Sequence, residues 1–398
     1  MASRPQQDDT PLVVHVIPSP RARGAQRAAR ACVDGLDELG GVHHILLSIF
    51  ADPPEVAVDL SLGKPGGRRS AEGFDFRVAL RLRRMLKELG PATVVAHGGD
   101  AMKYVVPAMF GTGRPFVYCV IGTYAGPPSK VHEGMWRLIM RAARTVIAVG
   151  DEVLDECTDR FRIPSARTVL IPNGRDSTVF RPSSTPHDTA PATLIFVGAL
   201  TPQKRPERFV ELVQDLRAAG HSLRALLVGD GPLSEPLAPS ATDQGVEMLG
   251  SRSDVPELLR DSDVFVFTSL PAGEGMPGVL IEAGLSGLPT VSTSVPGASS
   301  VLQEGTTGFI VGDGRTAMAA AVGQLIEDPA RRKAMGSAAR AWCASEYSLD
   351  VMVARWQQVL QPLVESQIGT GRRVRATLGR VAADLARAFR ARRRNSQT

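Results

Sequence analysis

The chain has 398 residues, of which 43% are apolar and 22% charged, enough for about two domains that bury roughly three-quarters of the unfolded surface. This composition excludes a disordered or disulfide-stapled class. The formal charge of +5 is unevenly placed: residues 371–398 hold nine arginines and one acid, Asp384, so that segment carries +8 and the rest of the chain −3.

The first ten residues, MASRPQQDDT, are polar and lack a basic stretch followed by an apolar one. Nowhere does the chain offer ~18 uninterrupted apolar residues, so neither an export signal nor a membrane span is read. Cys32, Cys119, Cys157 and Cys343 are scattered, with no short pair that would suggest zinc or a redox couple. These features place the expected activity in the cytoplasm or at the inner face of the cell membrane.

From residue 12 onward, short β-branched runs alternate with segments of helical period, the pattern of parallel strands joined by crossover helices. Strands are predicted at Leu12–Ile17, His44–Ile49, Ala92–Ala96, Pro115–Ile121, Thr145–Val149 and Thr168–Ile171. Helices are predicted at about 24–39, 75–89, 131–143 and 151–161. The run 181–193, RPSSTPHDTAPAT, has no periodicity and reads as a linker. Strands resume at Leu194–Val197, Leu223–Val228, Val246–Leu249, Val264–Phe267, Thr290–Ser292 and Phe309–Val311. The fold class is therefore α/β, with two doubly wound domains and a cleft between them.

The second half carries the chemistry. Val197-Gly198-Ala199-Leu200 ends a strand, and the following loop brings Lys204 and Arg205 to a helix start. Cations at such strand ends commonly pair with phosphate. Leu226 to Pro232 form another strand end with a Gly-rich turn. In EGMPGVLIEAGLSGLP, Glu274 and Glu282 stand eight residues apart, with Gly275, Met276, Pro277 and Gly278 at a predicted helix start. Free amides at a helix start attract anions, and paired carboxylates accept hydrogen bonds from a diol, so a polyol bearing phosphate suits the arrangement. Asp261 and Asp263 form a D-x-D that precedes a buried strand and reads as structural; no metal is assigned.

These elements, in this order, resemble the retaining nucleotide-sugar glycosyltransferases of family 4, which have the GT-B fold of two Rossmann-like domains. IPNGRDSTVFRP (171–182) and TTGFIV (306–311) extend the resemblance, as do Arg23-Gly24-Ala25-Gln26 and Ala96-His97-Gly98 more faintly. It covers about residues 12–365. The resemblance implies a nucleoside diphosphate sugar donor, a hydroxyl acceptor of the lipid-linked or polysaccharide kind, and no cofactor. Glu282 would accept hydrogen bonds from the donor ribose and Glu274 would lie near the sugar 3- and 4-hydroxyls. Backbone amides of the segment Gly275, Met276, Pro277 and Gly278 would approach the same sugar, although Pro277 has no N–H. Lys204 falls on the diphosphate-binding lysine, Arg205 stands where glycine often follows it, and Gly24 matches a loop facing the diphosphate. The chain departs from the family in reading Ala199 where arginine is common and Tyr118-Cys119-Val120-Ile121-Gly122 where a histidine is expected. His97, one strand earlier, is a candidate substitute near the reaction centre. Catalytic roles thus fall to Glu274, Lys204, Arg205 and His97. A nucleotide-sugar 2-epimerase and a noncatalytic sugar-nucleotide binder are the competing classes.

The implied organisation is an acceptor domain at 1–183, a nucleotide-sugar domain at 184–347, a returning helix at 348–370 and a basic tail at 371–398. In the tail, Val374, Leu378, Val381, Leu385 and Phe389 form one apolar stripe ringed by arginine, a basic amphipathic helix suited to an anionic membrane surface. Nucleic acid is not an expected partner, because the body is acidic and no nucleic-acid module is present.

Overall fold

A computed structural model of the chain describes residues 10–21, 24–52, 55–63, 74–124, 129–184, 191–271 and 276–368. The predicted tail helix at 371–398 therefore lies outside the described residues.

The first part of the chain contains β1 (Leu12–Ile17), α1 (Gly24–Glu38), β2 (His43–Ser48), β3 (Leu60–Ser61), α2 (Phe76–Glu88), β4 (Ala92–His97) and α3 (Gly99–Met109). Next come β5 (Phe116–Val120), α4 (Lys130–Ala142), β6 (Thr145–Ala148), α5 (Asp151–Asp155), a π-helical turn (Glu156–Arg160), a 3-10 turn (Ser165–Arg167) and β7 (Thr168–Leu170). A second series holds β8 (Ala192–Val197), α6 (Pro206–Ala218), β9 (Leu223–Val228), α7 (Ser234–Asp243), β10 (Val246–Gly250), α8 (Val255–Arg260) and β11 (Val264–Phe267). It continues through α9 (Gly278–Leu285), β12 (Thr290–Thr293), α10 (Ala298–Val301), β13 (Gly308–Val311), α11 (Arg315–Glu327), α12 (Pro329–Tyr347) and α13 (Leu349–Ile368).

The strands form two sheets, ordered β3-β2-β1-β4-β5-β6-β7 and β10-β9-β8-β11-β12-β13. Pairing is parallel, with Leu12 to Ile17 opposite His43 to Ser48 and Ala192 to Val197 opposite Leu223 to Val228. The reason is legible in the strands themselves: all six residues of β1, LVVHVI, are buried, as expected of a strand covered on both faces. In each sheet the winding reverses beside the first strand of its series, between β1 and β4 and between β8 and β11. Such switch points are where open α/β sheets take ligands, beyond the carboxyl ends of the strands.

By its internal packing the chain divides into two compact units, residues 1–119 with 138–146 and 355–398, and residues 120–137 with 147–354. In the second, Phe196, Phe209, Leu227 and Val266 are among the buried side chains of one apolar cluster under α6 and α11. In the first, Ala29 and Val33 of α1 pack with Ile17, Leu46 and Val56. Helix α3 was not among the predicted helices; Pro107 lies inside it and reads in sequence as a breaker. α13 extends over the predicted last helix, with Met352, Trp356, Leu360 and Val364 buried along one stripe.

Candidate functional site

In the second unit, the loop after β8 begins with a close backbone approach. Gly198 N donates to Val228 O at 3.0 Å, and Leu200 N to Asp230 O at 3.0 Å. A Cβ on Gly229, whose φ is +137°, would fall 1.8 Å from Gly198 O. Only glycine fits there, which explains the Gly-rich turn after β9.

The same loop is joined to the end of β11, across the switch point. Leu270 N donates to Gln203 O at 2.8 Å, and Thr268 Oγ1 donates to Lys204 O at 2.8 Å. The Lys204 ammonium stands 5.0 Å from the centre of the Phe267 ring, a cation–π distance. Arg205 occupies the left-handed region, with φ 47° and ψ 56°, a conformation costly for a side chain with a Cβ. Its guanidinium is engaged: Nε donates to Thr268 O at 2.9 Å, and Nη1 pairs with Asp313 Oδ1 at 2.6 Å. The Arg205 hydrogen bond holds the Asp313 carboxyl below its ordinary range. Arg205 thus clamps the loop that carries Lys204.

The start of α9 holds the other predicted residues. Met276 and Pro277 are buried, and Glu282 lies in the second helical turn. Glu282 Oε1 accepts from Arg175 Nε at 2.6 Å, both side chains being mostly buried. A Cβ on Gly278 would meet Arg175 Nη2 at 1.9 Å, so the guanidinium lies against the first residue of the helix. The Arg175 backbone is held by Tyr347 O, which accepts from its N–H at 2.9 Å, and by Leu349 N, which donates to its carbonyl at 2.8 Å. Arg175 stands in the IPNGRD segment and is not among the residues the sequence predicts for the site. Its partner lies 107 positions away, and no local spacing signals that pair. Glu274 and Gly275 lie outside the described residues. Asp263 has a structural role: Oδ2 accepts from Thr193 N at 2.8 Å at the start of β8.

In the first unit, Gly24 opens α1 with nothing within 4 Å of where a Cβ would stand. His97 ends β4 inside a buried chain of histidines. His15 Nδ1 lies 3.0 Å from His97 Nε2, and His15 Nε2 lies 3.2 Å from His44 Nδ1. Trp356 covers His15 and His97, with ring centres 5.9 and 5.6 Å away. Burial pushes His97 and His44 down to about 4 and His15 well below its ordinary value, so all three are neutral at pH 7. His97 is therefore a neutral hydrogen-bonding group tied to its histidine neighbour.

Among the described residues no helix is long and apolar enough to cross a membrane.

Comparison with known proteins agrees with this geometry. Residues 22–179 match the family described as Glycosyltransferase Family 4, and residues 191–328 match Glycosyl transferases group 1. The chain is 28% identical over 366 residues to a GDP-mannose-dependent monoacylated alpha-(1-6)-phosphatidylinositol monomannoside mannosyltransferase of Corynebacterium glutamicum, covering 81% of this chain and 94% of that one. It is 26% identical over 316 residues to a GDP-mannose-dependent alpha-(1-6)-phosphatidylinositol monomannoside mannosyltransferase of Mycobacterium tuberculosis, covering 71% and 79%. In fold it is similar to a glycosyltransferase from Rickettsia africae, with TM-score 0.75 at 18% identity, covering 89% of this chain and 99% of that one. Anabaena HepE in complex with UDP gives TM-score 0.71 at 19% identity, covering 88% and 100%. Both matched families are transferases, so the epimerase alternative has no support. With the two family matches together spanning most of its length, the chain belongs to the family 4 glycosyltransferases and has the GT-B fold.

Proposed function

We propose that this glycosyltransferase moves mannose from GDP-mannose to a hydroxyl of a lipid-linked acceptor, with retention of anomeric configuration. The observation that carries the reading is the likeness to the corynebacterial mannosyltransferase, which extends over 94% of that protein. Residues 184–347 bind the donor and residues 1–183 the acceptor. Glu282, oriented by Arg175, accepts hydrogen bonds from the ribose, and Glu274 from the sugar 3- and 4-hydroxyls. The amides of Gly275, Met276 and Gly278 approach the sugar beside Pro277. Lys204 neutralises the departing diphosphate, Arg205 fixes its loop and adds charge, and Gly24 offers an amide to the same group. His97 supplies a neutral hydrogen bond near the reacting centre.

Departure of the diphosphate leaves oxocarbenium character on the sugar, so the site's main tasks are positioning and charge stabilisation. The acceptor hydroxyl attacks from the face the diphosphate leaves, and a donor phosphate oxygen takes its proton. Incubation with radiolabelled UDP-, GDP- and ADP-sugars tests this. GDP and labelled mannose or a mannosylated product are expected from GDP-mannose. Release from another donor alone would overturn the donor assignment, and an isomerised sugar would overturn the transfer reaction.

The tail at 371–398 seats the enzyme on an anionic membrane as a peripheral protein, each arginine near the lipid contributing ~1 kcal/mol. Deleting 371–398 is expected to abolish binding to acidic liposomes while leaving turnover on a soluble acceptor unchanged. Undiminished liposome binding by the truncated chain would end this part of the proposal.

A further inference from the structure

At the amino-end edge of the first sheet, away from the edge where such sheets take ligands, lies a cavity of about 290 Å³. The turn between α1 and β2 and the second half of α13 border it, with Leu36, Leu360 and Val364 as apolar wall. Leu39, half exposed, and the exposed Gln361 also line it, so it opens to solvent. Gln361 Nε2 donates to Glu365 Oε1 at 2.9 Å on the same rim, and no lysine or arginine is among the described residues that line the cavity. Apolar walls with a few acceptor groups suit a neutral, mostly apolar ligand that carries a hydrogen-bond donor. The volume is about twice the ~150 Å³ that holds benzene, room for a two-ring molecule.

One lining residue connects the cavity to the rest of the sheet. His44 is buried, faces the cavity and ends the histidine chain. The strand register carries that chain diagonally over one face of the sheet. His44 stands opposite Val13, His15 two residues farther along β1, and His97 two residues beyond Val95, the partner of His15. A neutral imidazole has one N–H and one bare nitrogen. Because both nitrogens of His15 are bonded, to His97 Nε2 and to His44 Nδ1, the three rings have two proton patterns. In the first, His44 Nδ1–H donates to His15 Nε2 and His15 Nδ1–H donates to His97 Nε2, so the His97 proton sits on Nδ1 and His44 Nε2 is a bare acceptor. In the second both bonds are reversed: His44 carries its proton on Nε2, and His97 Nδ1 is bare. Passing from the first to the second moves one proton along each hydrogen bond. His44 Nε2 takes one proton from water and His97 Nδ1 gives one to water, so the count is unchanged.

We propose that this cavity binds a neutral two-ring molecule bearing an N–H donor, which bonds His44 Nε2 and thereby fixes the His97 proton on Nδ1. A ligand at one edge of the sheet then decides whether His97, at the other edge, donates or accepts. An effect on sugar transfer rests on the placement of His97 near the reacting centre; the binding and the proton shift do not.

Nitrogen NMR on the full chain with isotope-labelled histidine reads which nitrogen of each ring carries the proton. The probes are indole, a donor only, quinoline, an acceptor only, and N-methylindole, which has no donor, all neutral near pH 7. Indole is expected to bind at least tenfold more tightly than N-methylindole and to place the His97 proton on Nδ1, whereas quinoline places it on Nε2. Leu39→Trp fills the mouth and is expected to weaken indole at least tenfold with GDP binding unchanged. His15→Phe is expected to keep indole binding and lose the response of His97; should it not fold, the three probes on wild type decide alone. No indole binding, equal binding of indole and N-methylindole, undiminished binding by Leu39→Trp, or one His97 pattern with every probe would overturn the proposal. Transfer, measured with the donor sugar the enzyme turns over, is expected to rise at least twofold with indole and to fall at least twofold with quinoline. A proton shift without a rate change would overturn the placement of His97 near the reacting centre and leave the cavity site standing.

Discussion

Replacing Glu282 or Lys204 by alanine is expected to lower sugar transfer by at least a hundredfold, through different kinetic parameters. Glu282→Ala removes a charged acceptor and leaves the Arg175 guanidinium, 14% exposed in its ion pair, without its carboxylate. A hydrogen bond to a charged group contributes ~1.5–3 kcal/mol, and breaking a largely buried ion pair costs more. The loss falls on binding of the nucleotide, so the donor KM rises most. Lys204→Ala removes a charge whose value grows as the diphosphate departs. That loss falls on kcat, in the range of ~100- to 1000-fold found for single stabilising groups at developing anions. Steady-state kinetics with varied GDP-mannose separates the two effects, and a thermal melt guards against simple unfolding of Glu282→Ala. Near-normal turnover in both variants would falsify the site assignment.

Stability is expected to fall steeply between pH 6.5 and pH 4, because of the buried histidine chain. Burial holds His97 and His44 at about 4, against 6.5 when unfolded, and also lowers His15 well below its ordinary value. Between these values the unfolded chain binds protons that the folded chain excludes, so folding stability decreases as pH falls through the window. At 1.36 kcal/mol per pH unit, His97 and His44 each remove about 3 kcal/mol across the window. The neighbours do not cancel this: Asp37 favours charged His44, but His43 opposes it and Arg30 opposes charge on His15. His44→Gln keeps a hydrogen-bonding side chain and removes one titrating group. Its Tm should decline less between pH 6.5 and 4 than that of wild type; identical slopes would show that the chain does not set the acid limit.

Much of the frame was legible because strand and helix periods are local. β1 is apolar at every position but His15, and the helix carrying Glu282 begins beside Pro277 as its composition implies. α3 is not among the predicted helices and contains Pro107, a residue that breaks isolated helices; buried Met102, Val105 and Ala108 on either side of it hold the helix against the sheet. Long-range partners were not legible for a physical reason. Nothing in the alternation of β1 and β4 encodes that His15 and His97, 82 positions apart, share a hydrogen bond. Arg205 shows the same limit, since nothing beside it in the sequence encodes its tie to Asp313 or to the Thr268 carbonyl.

The first compact unit draws on residues 355–398 as well as on 1–119, and Trp356 packs on His15 and His97. A ribosome adding ~5–20 residues per second delivers that tryptophan long after β4 has emerged. For about tens of seconds the nascent first sheet carries its histidines without their aromatic cover, while every residue of the second unit is made before Trp356. The order of synthesis therefore favours completion of the second unit first, and leaves the first as the stretch that chaperones would need to guard.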